Sequence, residues 1–339
     1  MAGSRRRAGR DPLNVGRVLP AVLIAILLGG CSGVQSVLDP AGRDAEVLAR
    51  LFWWMLGGAV ILWVLMNGLL VYVSRIDTRP LSARAAEWLI IGGGIVFPTV
   101  VLAGLLSFAL SEMPEQRAPG SGLTVSVTGE SWWWRVEYLP DGAETPVVSA
   151  NEIRLPVGRR SEITLNAHRV IHSFWIPALG GKTDMIPGRE TRMSLEPTRA
   201  GEFRGQCAEF CGESHALMAL GAVVMDEDAF AAWLEKEAAP AVPPESDAAR
   251  RGQAVFNAEG CGACHAVRGT AASGRVGPDL THVGGRVSLA AGILPMTAEA
   301  LMRWIRDPEA IKPGAMMPGY DHLSDDDLSA LAAYLEGLT

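Results

Sequence analysis

The sequence predicts a three-part chain: a pair of membrane-spanning helices, then an all-β domain, then an all-α domain. Three observations carry this. Two apolar runs of about 23 residues stand in the first third, each long enough to cross a bilayer that needs about 20. Short alternating runs punctuated by Gly and Pro follow over about residues 120–236. After a Pro/Ala segment, the apolar spacing over 247–339 turns helical. At 339 residues the chain is longer than one domain usually fills. Its hydrophobic share of 49% and mean hydropathy of +0.19 are high for a soluble protein, and the apolar excess lies at the N-terminal end.

The N-terminus reads as an export signal. Arg5, Arg6, Arg7, Arg10 and Arg17 precede the apolar run Val18 to Leu28, and Gly29-Gly30-Cys31 follows. Residues 1–30 are therefore set aside from the fold. Leu28-Gly29-Gly30-Cys31 also has the form of a bacterial lipobox, with Cys31 as a lipidated first mature residue; ordinary cleavage nearby is the alternative. The chain carries a net charge of −7, and removing five arginines and Asp11 makes the exported part more acidic still. Such a surface suits a basic protein partner and argues against nucleic acid.

The membrane hairpin is expected over 45–112, with spans at about 51–73 and 88–110. Arg75, Arg79 and Arg84 in the connection mark its cytoplasmic side, so both outer ends of the hairpin face the export side. This agrees with the exported N-terminus. Phe52, Trp53, Trp54 and Trp88 fall near span ends, where aromatic belts lie. Pro98 inside the second span requires another group to satisfy the carbonyl it frees.

In the β region, Thr124–Val127, Trp132–Tyr138, Glu162–Leu165 and Met193–Leu195 read as strands of a sandwich or barrel. Period 2 would put Trp132, Trp134 and Val136 on one face and Trp133 on the other. Within this region Cys207, Cys211, His215 and Met218 place four soft or borderline donors in twelve residues. Thiolates select copper(I) or zinc, imidazole suits copper, and a thioether is a weak ligand of electron-transfer copper sites. The second cysteine offers a second bridging sulfur, so the pair can join two coppers. A disulfide and a tetrahedral zinc site are the alternatives, and neither has a use for Met218. His172, in Ile171-His172-Ser173-Phe174-Trp175, supplies a further imidazole, whereas His168 has no partner pattern and reads as a surface or loop histidine.

A Pro/Ala linker over 237–246 leads to the last domain at 247–339. Its centre is Cys261-Gly262-Ala263-Cys264-His265, the c-type haem attachment pattern, with a zinc or redox pair as the alternative. His265 is the proximal ligand on this reading, and Met316 or Met317 provides the second. A methionine opposite a histidine raises the haem potential and suits electron transfer rather than oxygen chemistry. His282 and His322 read as surface or propionate-side histidines. Thr297 and Ser324 are placed as N-caps of two helices. All five cysteines then have a use: one lipid anchor, two copper bridges and two haem thioethers.

Taken together, the two-span hairpin, Trp132-Trp133-Trp134-Arg135-Val136-Glu137-Tyr138, His172-Ser173-Phe174-Trp175, Lys182-Thr183-Asp184-Met185-Ile186-Pro187-Gly188-Arg189 and the Cys207–Met218 loop resemble subunit II of the haem–copper cytochrome c oxidases in order and spacing. The resemblance covers nearly all of the mature chain. It implies a Greek-key cupredoxin sandwich holding the dinuclear copper centre CuA, bridged by Cys207 and Cys211 and capped by His172 and His215. Met218 is then the weak ligand to one copper and the Glu209 carbonyl a ligand to the other. The Glu209 carboxylate is implied as a ligand to magnesium at the interface with subunit I. Trp132 matches the surface tryptophan through which electrons reach the copper, its other reading being a core aromatic. Glu87 stands near a proton-path glutamate of many members, although Gly92-Gly93-Gly94 and Pro98 depart from their pattern.

The last domain resembles the class I cytochromes c, whose ligand methionine directly precedes a proline. This favours Met317 and leaves Met316 to packing. Pro278 in Gly277-Pro278-Asp279-Leu280 matches the residue whose carbonyl orients the proximal imidazole.

What the resemblance implies is a respiratory subunit II with a fused cytochrome c domain in a bacterial inner membrane, its copper and haem domains outside. It would pass electrons from its own haem c to CuA and on to haem in subunit I, where oxygen is reduced and protons are translocated. The expected partners are subunit I, the other oxidase subunits, the lipid bilayer, and a soluble or membrane cytochrome c or a cytochrome bc complex as donor. The alternative is a membrane-tethered carrier feeding another terminal reductase, such as a copper-containing nitric oxide reductase. A copper-delivery role leaves the attached haem pattern without a use.

Overall fold

A computed structural model describes residues 32–76, 79–116 and 118–339. Cys31 and the signal segment lie outside them. Helix α1 (Arg43–Val71) continues through a π-turn, Tyr72–Ile76. The return passes through α2 (Ala83–Trp88), a π-turn (Leu89–Val96) and α3 (Phe97–Gln116). These form two candidate spans, Arg43–Ile76 and Ala83–Met113, whose most apolar windows have mean hydropathy 2.1 and 2.3 and no buried residue. The wider turn across the glycine run ends just before Pro98, and Thr99 Oγ1 donates to the Ile95 carbonyl at 2.7 Å. A polar side chain and a π-turn are the adjustments that make a proline tolerable there. Phe52, Trp53 and Trp54 lie well inside the first helix, because it begins at Arg43.

The β domain consists of two five-stranded sheets. In chain order the strands are β1 (Leu123–Gly129), β2 (Trp134–Pro140), β3 (Val147–Ala150), β4 (Glu152–Pro156), β5 (Ser161–Ala167), β6 (His172–Trp175), β7 (Thr183–Met185), β8 (Thr191–Leu195), β9 (Gly201–Cys207) and β10 (Ala219–Met225). One sheet runs β3-β2-β1-β5-β8 and the other β4-β10-β9-β6-β7. Strands β1 and β5 are parallel, as are β4 and β10; the remaining pairs are antiparallel. Inward residues alternate as a half-buried strand requires: Leu123, Val125 and Val127 on β1, Trp134, Val136 and Tyr138 on β2. They meet Ile153, Leu155, Phe174 and Leu220 in one core.

The tryptophan run departs from the expected strand. Pairing begins at Trp134, and Trp132 stands in the bend before it. The chain after Gly129 turns out of the sheet, so Trp134 enters the core fully while Trp132 reaches the copper-type loop instead.

The sandwich is clamped to the start of the hairpin. Arg160 donates to the Asp44 carboxylate at 3.3 Å, to Ser194 Oγ at 2.9 Å and to Glu196 at 3.1 Å. The Ala41 and Arg43 amides add backbone bonds to Ala178 and Glu196. Helix α4 (Glu227–Ala238) closes the domain by setting Phe230 and Trp233 on Tyr138.

The chain from Ala239 to Glu245 has neither helix nor strand, yet it is held. Ala241 donates its amide to the Arg268 carbonyl at 2.9 Å, and Arg268 reaches back to the Glu237 carbonyl. His282 is 5% exposed rather than on the surface, with Nε2 3.0 Å from the Ala239 carbonyl. The final domain contains α5 (Asp247–Ala258), α6 (Ala298–Arg306), α7 (Pro308–Ile311) and α8 (Asp325–Glu336). Thr297 and Ser324 cap α6 and α8, accepting from Ala300 and Asp327. The expected all-α character is interrupted by a short hairpin, β11 (Ser288–Leu289) with β12 (Leu294–Pro295).

Candidate functional site

Two sites share one wall. The first lies at an end of the second sheet. Strands β6 and β9 are antiparallel neighbours, with Phe174 opposite Cys207, so His172 at the start of β6 meets Cys207 at the end of β9. The β9–β10 loop then returns Cys211, His215 and Met218 to the same place. Its closure is backbone chemistry: Cys207 N donates to Met218 O at 2.9 Å, and Ala208 N to Ser173 O at 2.9 Å.

His172 Nδ1 lies 3.7 Å from Cys207 Sγ, and His215 Nδ1 lies 3.5 Å from Cys211 Sγ. Met218 Sδ is 3.9 Å from Cys211 Sγ, and the Glu209 carbonyl is 3.2 Å from Cys207 Sγ. The ligand atoms of His172, Cys207 and Cys211 all fall within 4.8 Å of one another. His172 is fully buried, and a β-carbon on Gly129 would stand 2.7 Å from its ring. The Cys207 thiol is held far below the usual range, first by a hydrogen bond from Cys211 and then by bonds from His172 and the backbone, against the effect of burial. The same contact and burial push Cys211 up. A soft cation takes sulfur deprotonated, so loading this pair would displace its protons. His168 is exposed and pairs with Glu130 at 2.9 Å, away from this cluster.

The second site is a cavity of about 210 Å³ whose walls include Cys261, Cys264, His265 and Met317. Cys261–Ala263 forms a short helical turn that sets the two sulfurs and His265 in sequence. His265 Nδ1 is 2.7 Å from the Pro278 carbonyl, which fixes the ring and leaves Nε2 as the free donor atom. Burial pushes its pKa down, opposed by that hydrogen bond, so the imidazole is neutral as a ligand must be. Gly277 permits the close approach, since a β-carbon there would come within 2.4 Å of the ring. Both Met316 and Met317 line the cavity; Met316 is 58% exposed, whereas Met317 packs against the helical core. Arg286 is buried in the same wall, and its Nε has no hydrogen-bond partner among the described residues. Its Nη2 donates to the Asp279 carbonyl, so the guanidinium is anchored at one nitrogen and keeps Nε for an anionic group such as a carboxylate.

The shared wall is Trp132. Its indole N–H donates to the Cys211 carbonyl at 3.0 Å, and its ring lines the cavity that holds His265 and Met317. The copper-type loop and the methionine loop also touch directly, through Ser214 Oγ donating to the Pro313 carbonyl at 2.6 Å. Sequence reasoning missed the residues that set this seam. Lys312, 4% exposed and also in the cavity wall, Arg154 and Arg204 carry no motif that marks them, and Arg135 stood only within the tryptophan run.

Residues 126–225 match the family of the cytochrome c oxidase subunit II periplasmic domain, and residues 249–339 match the cytochrome c family. Cytochrome c oxidase subunit 2 of Alkalihalophilus pseudofirmus is 33% identical, with 95% of this chain and 96% of that protein covered. The subunit 2 of Bacillus subtilis is 31% identical over 95% of this chain and 97% of its own length. Among solved structures, the periplasmic domain of subunit II of the cytochrome oxidase of Bradyrhizobium japonicum is 33% identical, covering 35% of this chain and 95% of that one, with a TM-score of 0.33. With relatives matched from end to end and both domain families present in one polypeptide, the chain belongs to the cytochrome c oxidase subunit 2 family and carries a cytochrome c domain of its own.

Proposed function

We propose that this chain is the electron-input subunit of a respiratory haem–copper oxidase, taking electrons at a covalent haem c, passing them to a dinuclear copper centre and delivering them to haem in subunit I for the reduction of oxygen coupled to proton translocation. When bound, the two groups supply one-electron storage and exchange. The protein's part is to hold them, exclude water and join them.

Cys207, Cys211, His172 and His215 would hold the copper pair, the two thiolates being available to share, with the Met218 sulfur and the Glu209 carbonyl as further weak donors. The donor set supports this, because it offers two sulfurs for sharing and one imidazole beside each. The Glu209 carboxylate, half-buried beside exposed Phe210, is assigned to a magnesium ion shared with subunit I. In the cytochrome domain Cys261 and Cys264 would attach the haem, His265 and Met317 would hold its iron, and Arg286 would meet a propionate. The hairpin anchors the chain in a bacterial inner membrane with both soluble domains outside, the arginine-bearing connection facing the cytoplasm.

The observation that carries the reading is the double placement of Trp132, bonded to the loop of one site and forming a wall of the other. The experiment is purification of the intact complex, with copper and haem counted per chain and oxygen uptake followed with a reduced cytochrome c donor. Two coppers and one haem c per chain, with uptake that requires both, is the expected result. A single metal at the cysteine loop, or a Cys207–Cys211 disulfide in the assembled complex, overturns it.

A further inference from the structure

The tip of the β11–β12 hairpin is strained and buried. Ala290, Ala291 and Gly292 follow one another with φ of 54°, 60° and 78°, and the two alanines are 9% and 0% exposed. Left-handed conformations cost residues that carry a β-carbon, and they persist only where the surroundings over-determine them. Three donors do so here. The Ala290 carbonyl accepts from Lys312 Nζ at 3.1 Å, the Ala291 carbonyl from the Ala219 amide at 3.0 Å, and the Gly292 carbonyl from Arg204 Nη1 at 2.6 Å.

The origin of these donors gives the tip its meaning. Ala219 directly follows Met218 and opens β10, and Arg204 lies on β9, so two donors belong to the strands that frame the copper-type loop. Lys312 belongs to the methionine loop, five residues before Met317. The base of the hairpin is held to the same sandwich: Val287 N donates to the Glu152 carboxylate at 2.7 Å, and Arg154 to the Gly285 carbonyl at 2.9 Å. Closeness also fixes the third tip residue, since a β-carbon on Gly292 would stand 2.9 Å from that of Ala219. Packing alone gives no reason for an ammonium group at Lys312. A buried cation with one carbonyl partner is a costly way to fill space, and an apolar side chain of that length would do so more cheaply.

We propose that the Ala290–Gly292 tip is the latch that fixes the cytochrome domain to the β9–β10 end of the sandwich, and that Lys312 is its lock, a positioning residue for electron transfer between the two sites. Lys312 ties the segment bearing Met317 to the hairpin, and the hairpin ties itself to the strand that follows Met218. The two methionine-bearing segments therefore keep one relative placement through bonds to the hairpin tip. The consequence for electron transfer rests on the function proposed above; the latch itself does not.

The test uses the detergent-solubilised holo-complex with Lys312→Met, Lys312→Arg, Arg204→Met and the double variant Lys312→Met/Arg204→Met. Hydrogen–deuterium exchange is read over residues 217–223 and 286–296, together with the haem-to-copper transfer rate after flash reduction. Expected are faster exchange confined to those two segments and at least a tenfold slower transfer in Lys312→Met and in Arg204→Met. Lys312→Arg should stay near the parent, and the double variant should be no worse than the poorer single one. Unchanged exchange in both single variants overturns the latch whatever the electrons do. Altered exchange in a complex whose parent passes no electron between the sites sustains the latch and overturns the electron-transfer reading. Should Lys312→Met fail to assemble, Arg204→Met approaches the same tip from the sandwich side and carries the same two measurements.

Discussion

Trp132 donates its indole N–H to the carbonyl of Cys211 at 3.0 Å, while the opposite edge of its ring meets Gly314, where a β-carbon would stand 2.8 Å away. One side chain therefore spans from Cys211 to the loop that carries Met317. Trp132→Phe removes the hydrogen bond and shortens the ring on the Gly314 side. The expected outcome is slower haem-to-copper transfer, by an order of magnitude or more, with copper and haem contents unchanged. Flash reduction of the haem, followed at its absorption band, measures this; equal rates in parent and variant would remove Trp132 from the route.

The closeness of Cys207 and Cys211, each beside an imidazole, leads to a prediction about loading. Soft cations bind sulfur as thiolate, so uptake of two coppers by this pair must release protons. Cys211→Ser leaves one soft bridge and should hold at most one copper per chain, with His172 and Cys207 retained as ligands. Metal analysis and electron paramagnetic resonance of the purified complex check it: a spectrum with the unpaired electron shared over two coppers in the variant would contradict the bridging role.

How much of this was legible before the fold was seen depends on distance along the chain. Cys207, Cys211, His215 and Met218 sit in one loop between two paired strands, so their spacing alone carried the chemistry, and His172 lay on the neighbouring strand. The same holds for Cys261 to His265, which share one turn. Trp132 read as a strand residue because Trp-Trp-Trp satisfies the alternating pattern, and no local signal marks the bend that turns it out of the sheet. The composition of the Pro/Ala linker reports stiffness but not that Arg268 and His282 pin it down. Lys312 meeting Ala290, and Arg204 meeting Gly292, are contacts across the fold that leave no periodicity in the chain.

Met316 and Met317 are separated by their surroundings. Met317 packs against the helical core, and Met316 is 58% exposed. Met317→Ala should abolish the sulfur–iron charge-transfer band and lower the haem potential by on the order of 100 mV, part of the roughly 0.8 V range that axial ligands command. Met316→Ala should leave both unchanged. Redox titration with visible spectroscopy decides between them, and the reverse pattern would move the ligand to Met316.

Burial pushes Lys312 from its ordinary 10.5 down to about 7. Between those values the unfolded chain binds more protons at this residue than the folded one does, so its contribution makes stability rise with pH across the window. Lys312→Met removes that contribution. The difference in thermal stability between parent and variant should therefore shift in the parent's favour from about pH 7 to pH 10. Paired melting curves of the solubilised chain across that range test it, and a difference independent of pH would show that Lys312 keeps its ordinary affinity for protons.

Much of the seam between the soluble domains is made of side chains donating to backbone carbonyls. Arg135 reaches Arg275, Arg154 reaches Gly285, Arg204 reaches Gly292, Arg268 reaches Val148, and Ser214 reaches Pro313, at 2.6–3.2 Å. Salt screens separated surface charges beyond a Debye length of about 10 Å at 0.1 M, but it has little hold on short bonds to neutral acceptors. The internal step from haem to copper should therefore change less than about twofold between roughly 0.05 and 0.5 M salt. Reduction of the haem by an external basic donor, drawn by an acidic protein of net charge −7, should weaken over the same range. Flash reduction separates the first step from the second, which stopped-flow mixing follows. Strong salt inhibition of the internal step would mean that the cytochrome domain leaves the sandwich between electron transfers and returns by charge-steered encounter, tethered but not docked.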